Sequence, residues 1–193
     1  MDPIRIHIPN ELFAPAESSH FEGTLDLPVL KSGPDLYSFA EPVAWQADIT
    51  NTGGAFLVMG TAQGTATTSC VRCLEDVTLP LVGEIEGYFL IGGEDAEAPE
   101  EMEEDEFEVL GDDNVIDMEP LVRAALLLEL PYVPLCRDDC KGICPNCGAN
   151  LNEEECTCSD EPDEFEQARN PFAVLKGLTF DEDASAGASD GAR

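Results

Sequence analysis

Eight cysteines are the residues whose type and spacing could do chemistry in this sequence. Six lie in CRDDCKGICPNCGANLNEEECTC, which runs from Cys136 to Cys158, and two lie far upstream in CVRC, at Cys70 and Cys73. They form local pairs separated by one to three residues. Such pairs can bind a metal ion, form disulfides or act as a redox centre.

The spacing of the pairs favours zinc. Zinc takes four ligands at tetrahedral corners, and two thiolates separated by two residues supply half of one site from a tight turn. CVRC and CPNC have this spacing, while Cys136–Cys140 and Cys156–Cys158 are looser pairs. Four pairs make two four-thiolate sites with no cysteine left over, so we expect about two zinc ions per chain. The predicted ligands are Cys70, Cys73, Cys136, Cys140, Cys144, Cys147, Cys156 and Cys158.

Loop-closure entropy indicates how the pairs combine. The pair Cys144–Cys147 and the pair Cys156–Cys158 close a short loop, so joining them costs little entropy. Cys70 and Cys73 then meet Cys136 and Cys140 across the domain. Interleaved arrangements of the four pairs remain as alternatives.

Other uses of the thiols have less support. A thiol–disulfide redox protein is an alternative, but neither CVRC nor CPNC opens a predicted helix or lies in a βαβ pattern. Iron–sulfur ligation by one set of four is also open, although the C-x3-C and C-x-C spacings differ from the common ferredoxin spacings. The sequence contains no phosphate-binding loop, zinc-protease motif or nucleophile elbow, and His7 and His20 have no catalytic motif around them. We therefore predict that the protein is not an enzyme.

The first 90 residues have the period-two alternation of β-strands. IRIHI, PVAWQADIT and the long stretch AFLVMGTAQGTATTSC alternate in this way, and CVRCLED connects the last of these to a further strand. The pattern predicts an antiparallel meander with one buried face. The predicted inward residues of PVAWQADIT are Val43, Trp45, Ala47 and Ile49.

One main helix follows an acidic stretch. Residues 92–114 are dominated by carboxylates and predict a mobile loop, with FEVL as a possible short strand. DMEPLVRAALLLEL predicts a helix over 117–130, with Asp117 as its N-cap, Pro120 in its first turn and Pro131 ending it. Apolar residues extend nearly all round this helix, so we expect burial on more than one side, against the sheet.

The resulting fold class is α+β, an antiparallel β-sheet meander packed against one main helix, with a C-terminal zinc-knuckle segment. The predicted organisation is a β-rich core domain over 1–135, a cysteine-rich zinc-binding segment over 136–160, a short C-terminal helix within 161–180 and a disordered tail over 181–193.

The net charge indicates which partners the chain can bind, and the absence of targeting signals indicates its compartment. The chain has 41 acidic residues against nine Lys or Arg, a net charge of -32. This charge opposes unaided binding to a phosphate backbone and favours basic partners. It is also compatible with a role in solubility alone. The start lacks a secretory pattern and no apolar run could cross a membrane, so we expect a cytoplasmic protein in a reducing compartment.

Four motifs, in order, resemble a known family. They are CVRCLED, IDMEPLVRAALLLELPYVPLC, DCKGICPNCGANLN followed by CTC, and NPFAVLKGL. Together they resemble the bacterial YceD family, the large ribosomal RNA subunit accumulation proteins, over most of residues 1–180. In some members the cysteines of CPNCG and CTC are missing, which implies that the site containing Cys70 and Cys73 is integral to the fold.

The resemblance implies a non-enzymatic ribosome-biogenesis factor that supports 23S rRNA accumulation and large-subunit assembly. The partner would be a basic large-subunit ribosomal protein, or a 23S rRNA precursor particle contacted through Arg72, Arg137 and Lys141. We favour the protein, because three cations spread over two loops are a weak basis for RNA recognition. A zinc-stapled adaptor that acts outside ribosome assembly is the alternative, and a CxxC redox protein is a further one.

Overall fold

The computed structural model describes residues 4–92, 102–103 and 106–158. Described residues up to Glu154 belong to one compact unit, and those from Glu155 onward belong to a second. The fold below is that of the first unit. Its elements are β1 (Arg5–His7), a 3-10 helix (Asn10–Phe13), β2 (Ser18–Leu25), β3 (Val29–Ser32), β4 (Asp35–Phe39), β5 (Val43–Asn51), β6 (Ala55–Ser69), β7 (Asp76–Leu90), β8 (Glu108–Val109), β9 (Val115–Asp117) and α1 (Met118–Leu128).

Strand β6 is the centre of a seven-stranded sheet. It pairs with β7 along its whole length and with β5 over Phe56–Gln63, and β2 pairs with the far edge of β5. All of these pairings are antiparallel, as predicted, whereas the short β8 runs parallel to β7. The meander holds for β5, β6 and β7. The hairpin β3–β4 differs, since it pairs with the end of β6 rather than between β2 and β5.

The period-two alternation correctly predicted the buried face of the sheet. Val43, Trp45, Ala47 and Ile49 are all buried, and the polar residues between them face outward. Hydrogen-bonded antiparallel strands place alternate side chains on opposite faces, so this register follows from the apolar pattern.

Helix α1 covers the buried face and begins where the sequence predicts. The side chain of Asp117 accepts a hydrogen bond from the Glu119 amide at 3.0 Å, which satisfies one of the unpaired donors of the first turn. The expectation of burial on more than one side was wrong. Met118, Val122, Ala125 and Leu126 are buried, whereas the Leu128 side chain is 83% exposed. Only one side of the helix contacts the sheet, and the described chain places nothing over the other.

The helix lies unusually close to strand β7. A Cβ atom at Gly83 would overlap the backbone carbonyl of Ala125, and one at Gly87 would lie 3.0 Å from Leu121 Cδ1. Gly83 therefore allows the helix backbone to approach the strand backbone directly, and Gly87 on the same face leaves room for the Leu121 side chain. This approach sets the position of α1 on the sheet.

Several predicted segments lie outside the described residues. They are most of the acidic loop, namely 93–101 and 104–105, the C-terminal helix within 161–180 and the tail over 181–193. Strand β8 confirms that FEVL forms a short strand. The domain boundaries given above remain predictions. Within the described ranges, no helix combines the length and the hydropathy required to cross a bilayer.

Substitution Gly83→Ala should destabilise the protein, because the added methyl group overlaps the Ala125 carbonyl and forces the helix away from the sheet. We expect a loss of roughly 1–3 kcal/mol in the free energy of unfolding, measured by urea denaturation. Gly54→Ala is the matched control, since a Cβ there meets nothing within 4 Å. Equal stability of the two variants would contradict the described contact.

Candidate metal centre

Four cysteines from distant parts of the chain meet at one end of the long hairpin β6–β7. The sulfurs of Cys70, Cys73, Cys136 and Cys140 all lie within 4.8 Å of one another. Cys70 Sγ is 3.8 Å from Cys140 Sγ, and Cys73 Sγ is 3.5 Å from Cys136 Sγ. Cys70, Cys73 and Cys140 are buried, and Cys136 is exposed. We call this group the upstream tetrad.

The spacing of these sulfurs suits a tetrahedral metal ion. Zinc–sulfur bonds of about 2.3 Å at tetrahedral angles place neighbouring sulfurs about 3.8 Å apart. The two shortest distances in the upstream tetrad are 3.5 and 3.8 Å. Four thiolates are also the donor set that zinc takes in closed structural sites. The residues present therefore fit the predicted ion.

The first half of the upstream tetrad is set by the turn that joins β6 to β7. The Leu74 amide donates to the Cys70 carbonyl at 2.9 Å, and the Cys70 amide donates to the Glu75 carbonyl at 2.8 Å. These bonds close a tight turn that turns both sulfurs towards the same side. CVRC thus lies between two strands. Redox thiols are typically activated at the start of a helix, and CVRC does not have that position.

The second half is set by the chain that leaves the helix. The Tyr37 hydroxyl donates to the Pro131 carbonyl at 3.2 Å, and the Val71 amide donates to the Pro134 carbonyl at 3.0 Å. These two bonds guide the segment after α1 along the sheet to the turn. Cys136 and Cys140 therefore reach the sulfurs of CVRC from the opposite side.

Arg72 ties the two halves together. Its guanidinium donates to the Cys140 carbonyl at 2.9 Å, and its own carbonyl accepts from the Ile143 amide at 3.1 Å. Gly142 lies against this carbonyl with φ of 78°, and a Cβ at Gly142 would be 3.0 Å from the Arg72 oxygen. Arg72 therefore has a structural role in the tetrad, although the residue is exposed.

Asn152 is a supporting residue that the sequence pattern did not indicate. Its side-chain amide donates to Cys140 Sγ at 3.3 Å, and its Oδ1 accepts from the Lys141 amide at 2.8 Å. Donors to a metal-bound sulfur orient it and stabilise its negative charge. The only sequence signal was an asparagine between two cysteine pairs, which is common in turns.

The ionisation of one cysteine in the tetrad affects the pKa of the others. Burial alone would raise the pKa of the Cys70 thiol, but hydrogen bonds from the backbone of Cys73 and Cys136 outweigh it and lower this pKa to about 6. Desolvation and the neighbouring sulfurs raise the pKa of Cys136 to about 12. Ionising one sulfur thus opposes ionisation of the next. Four thiolates can coexist here only when a positive ion neutralises them.

The other four cysteines form two local pairs, Cys144–Cys147 in the first unit and Cys156–Cys158 in the second. We call these four cysteines the second group. In the first unit, the Gly148 amide donates to the Cys144 carbonyl at 2.9 Å, with Gly148 at φ of 74°. In the second unit, the Cys158 amide donates to Cys156 Sγ at 3.2 Å. Each pair thus has the turn geometry of half a metal site.

A known protein family matches the region of the chain that contains the cysteines. The family model described as large ribosomal RNA subunit accumulation protein YceD matches residues 58–179, which is more than half of the chain and includes every cysteine. The chain belongs to the YceD family. No solved structure gives a significant match.

Relatives of this YceD-family chain come from bacteria and plants. An uncharacterised protein of Mycobacterium tuberculosis is 38% identical over 100 residues, which are 51% of this chain and 46% of that protein. A chloroplastic YCED homolog 1 of Arabidopsis thaliana, named as a large ribosomal RNA subunit accumulation protein, is 36% identical over 61 residues, which are 32% of this chain and 18% of that protein. The mycobacterial match thus spans about half of each chain.

Loss of the upstream tetrad should cost more stability than loss of the second group. The upstream sulfurs of Cys73 and Cys136 are 63 positions apart, so their metal bridge constrains a long loop. We expect Cys73→Ser to lower Tm by roughly 10 °C or more, and Cys156→Ser to lower it by much less. Elemental analysis should find about two zinc ions in the wild type and about one fewer in each variant. Equal losses of Tm, or a wild type without metal, would contradict this ranking.

Asn152→Asp tests the support of Cys140. The substitution keeps an acceptor for the Lys141 amide but removes the donor to Cys140 Sγ and places a negative charge beside it. We expect zinc affinity to fall about 10–100-fold in a chelator competition assay. Asn10→Asp adds the same charge on the exposed 3-10 helix and should leave the affinity unchanged. An unchanged affinity in Asn152→Asp would remove Asn152 from the metal centre.

Proposed function

We propose that this YceD-family chain is a non-enzymatic cytoplasmic factor that supports accumulation of the large-subunit ribosomal RNA and assembly of the large ribosomal subunit. It would do so by binding a basic ribosomal protein of that subunit. Zinc, held by two groups of four cysteines, would stabilise the structure without taking part in a reaction.

The closed form of the upstream tetrad is the observation that carries this proposal. Catalytic zinc sites keep one coordination position for water or substrate, whereas structural sites fill all four with protein ligands. Here four sulfurs lie within 4.8 Å of one another and could supply all four ligands, and three of the four cysteines are buried. Such a centre holds a surface in place, so we assign function to the surface and not to the ion.

The family supports the ribosomal part of the proposal. The plant relatives are named as large ribosomal RNA subunit accumulation proteins. The region that the family model matches, residues 58–179, includes the whole of the upstream tetrad. A scaffold without an open metal position is compatible with a role in assembly, in which binding rather than catalysis is required.

A protein partner has more support than direct contact with RNA. Arg72 donates to a backbone carbonyl within the tetrad, and Arg137 Nε lies 3.7 Å from an Asp139 carboxylate oxygen. Two of the three cations considered for RNA binding thus have a partner within the chain, although both residues are exposed. Affinity for a phosphate backbone depends on free cations that displace counterions, and the net charge of -32 acts in the opposite direction.

Depletion of the protein from its host cells tests the proposal. We expect a lower ratio of large-subunit to small-subunit rRNA, measured by capillary electrophoresis of total RNA, and a smaller free large-subunit peak in sucrose gradients. Wild-type protein expressed in trans should restore both quantities, while Cys73→Ser should fail to do so because it loses the upstream tetrad. Normal rRNA ratios and subunit peaks after full depletion would refute the ribosomal role.

A further inference from the structure

An exposed apolar surface surrounds the turn of the upstream tetrad. The Leu74 side chain is 64% exposed and Tyr132 is 99% exposed, and three further apolar residues are at least one-third exposed. We call this surface the knuckle patch; it consists of Val71, Leu74, Tyr132, Val133 and Ile143. Contiguous exposed apolar groups on a folded protein mark interaction sites.

Backbone hydrogen bonds bring the parts of the knuckle patch together. The Val71 amide donates to the carbonyl of Pro134, the residue directly after Val133. The Ile143 amide donates to the carbonyl of Arg72, the residue directly after Val71. Three chain segments that are distant in sequence therefore present apolar residues around one turn, and the upstream tetrad holds all three.

Leu74 has a backbone conformation that normally belongs to glycine. Its φ is 65°, in the left-handed region that a leucine side chain disfavours. Gly148 occupies the equivalent position of the other C-x-x-C turn, with φ of 74°. Both residues donate their amide to the carbonyl of the first cysteine of their pair at 2.9 Å. The two turns thus have the same geometry, and one of them carries a leucine at the position where the other has glycine.

The Leu74 side chain contributes little to the stability of the fold. It is largely exposed, so it contributes little burial, and its φ carries a conformational cost that glycine would avoid. A strained residue that points an apolar group into solvent is compatible with a role outside the chain. Leu74 is therefore the residue most directly suited to contact a partner.

We propose that the knuckle patch is the docking surface for an apolar segment of a basic protein. This inference rests on the proposed function, since it specifies where the basic partner binds. Two carboxylates beside the patch complement such a segment, while the exposed cation of the same turn, Arg72, donates to the Cys140 carbonyl. Glu75 and Asp76 follow Leu74 directly and are exposed, and the ion pairs among the described residues involve neither of them. Apolar residues of the partner would contact the patch, and flanking Lys or Arg would face these carboxylates.

The variant Leu74→Gly separates binding from stability. It relieves the left-handed strain and removes the apolar group, so Tm should stay the same or rise. The probe is a fluorescently labelled amphipathic peptide built of lysine and leucine, titrated at physiological ionic strength and followed by anisotropy. We expect about tenfold weaker binding to Leu74→Gly than to the wild type, with an acidic glutamate–leucine peptide binding neither.

Leu36→Ala is the matched control, because Leu36 is similarly exposed, at 59%, on strand β4 and outside the knuckle patch. It should bind the basic peptide as the wild type does. A large fall of Tm in Leu74→Gly would make Leu74 a structural residue and overturn the proposal. So would equal affinity of the wild type and Leu74→Gly for the basic peptide, or no binding by either.

Two further measurements distinguish other occupants of the patch. A loss of affinity for a labelled large-subunit rRNA fragment, with peptide binding unchanged, would assign the patch to RNA. Dissociation of a wild-type dimer by Leu74→Gly, seen by analytical ultracentrifugation, would assign it to a second copy of this chain. If Leu74→Gly restores rRNA ratios in depleted cells and Cys73→Ser does not, the docking proposal fails while the proposed function stands.

Discussion

The convergence of four sulfurs at the turn of β6–β7 is the constraint on which the rest of the structure depends. Strand β5 pairs with β6 only as far as Gln63, and the hairpin continues to Ser69 as a ribbon paired with β4 at two positions. A nearly isolated two-stranded ribbon is marginal in water. Binding of one cation by Cys70, Cys73, Cys136 and Cys140 would hold this ribbon against the segment that follows the helix, since four thiolates need a cation to coexist.

Sheet, helix and tetrad are connected through a short series of contacts. Gly83 lets α1 lie directly on β7, and this contact sets the position of the C-terminal end of the helix on the sheet. Tyr37 then binds the carbonyl of Pro131, and Pro134 accepts the amide of Val71 in the turn. A displacement of the helix would therefore move Cys136 relative to the hairpin. The geometry of the upstream tetrad therefore depends on how the helix and the sheet pack in the first unit.

The surface around the centre combines two features that suit binding. The chain has 41 acidic residues, and the described region around the upstream tetrad also presents exposed aliphatic and aromatic side chains. Carboxylates attract basic proteins over long distances but give little selectivity. An apolar surface held by a rigid turn supplies contact area and a defined shape. Together they suit recognition of a partner in ribosome assembly, the process that the names of the plant relatives indicate.

Local patterns in the sequence determined the strands, the Asp117 cap and the local pairing of the cysteines, because each depends on residues close together in the chain. Only the tertiary structure decided which side of α1 is exposed, which residue supports the upstream tetrad and which backbone conformation Leu74 adopts. Leu128 is exposed because the sheet contacts one side of α1 alone. Asn152 reaches Cys140 because the chain folds back on itself. The left-handed Leu74 follows from closure of its turn between two paired strands, and leucine itself gives no sign of that conformation.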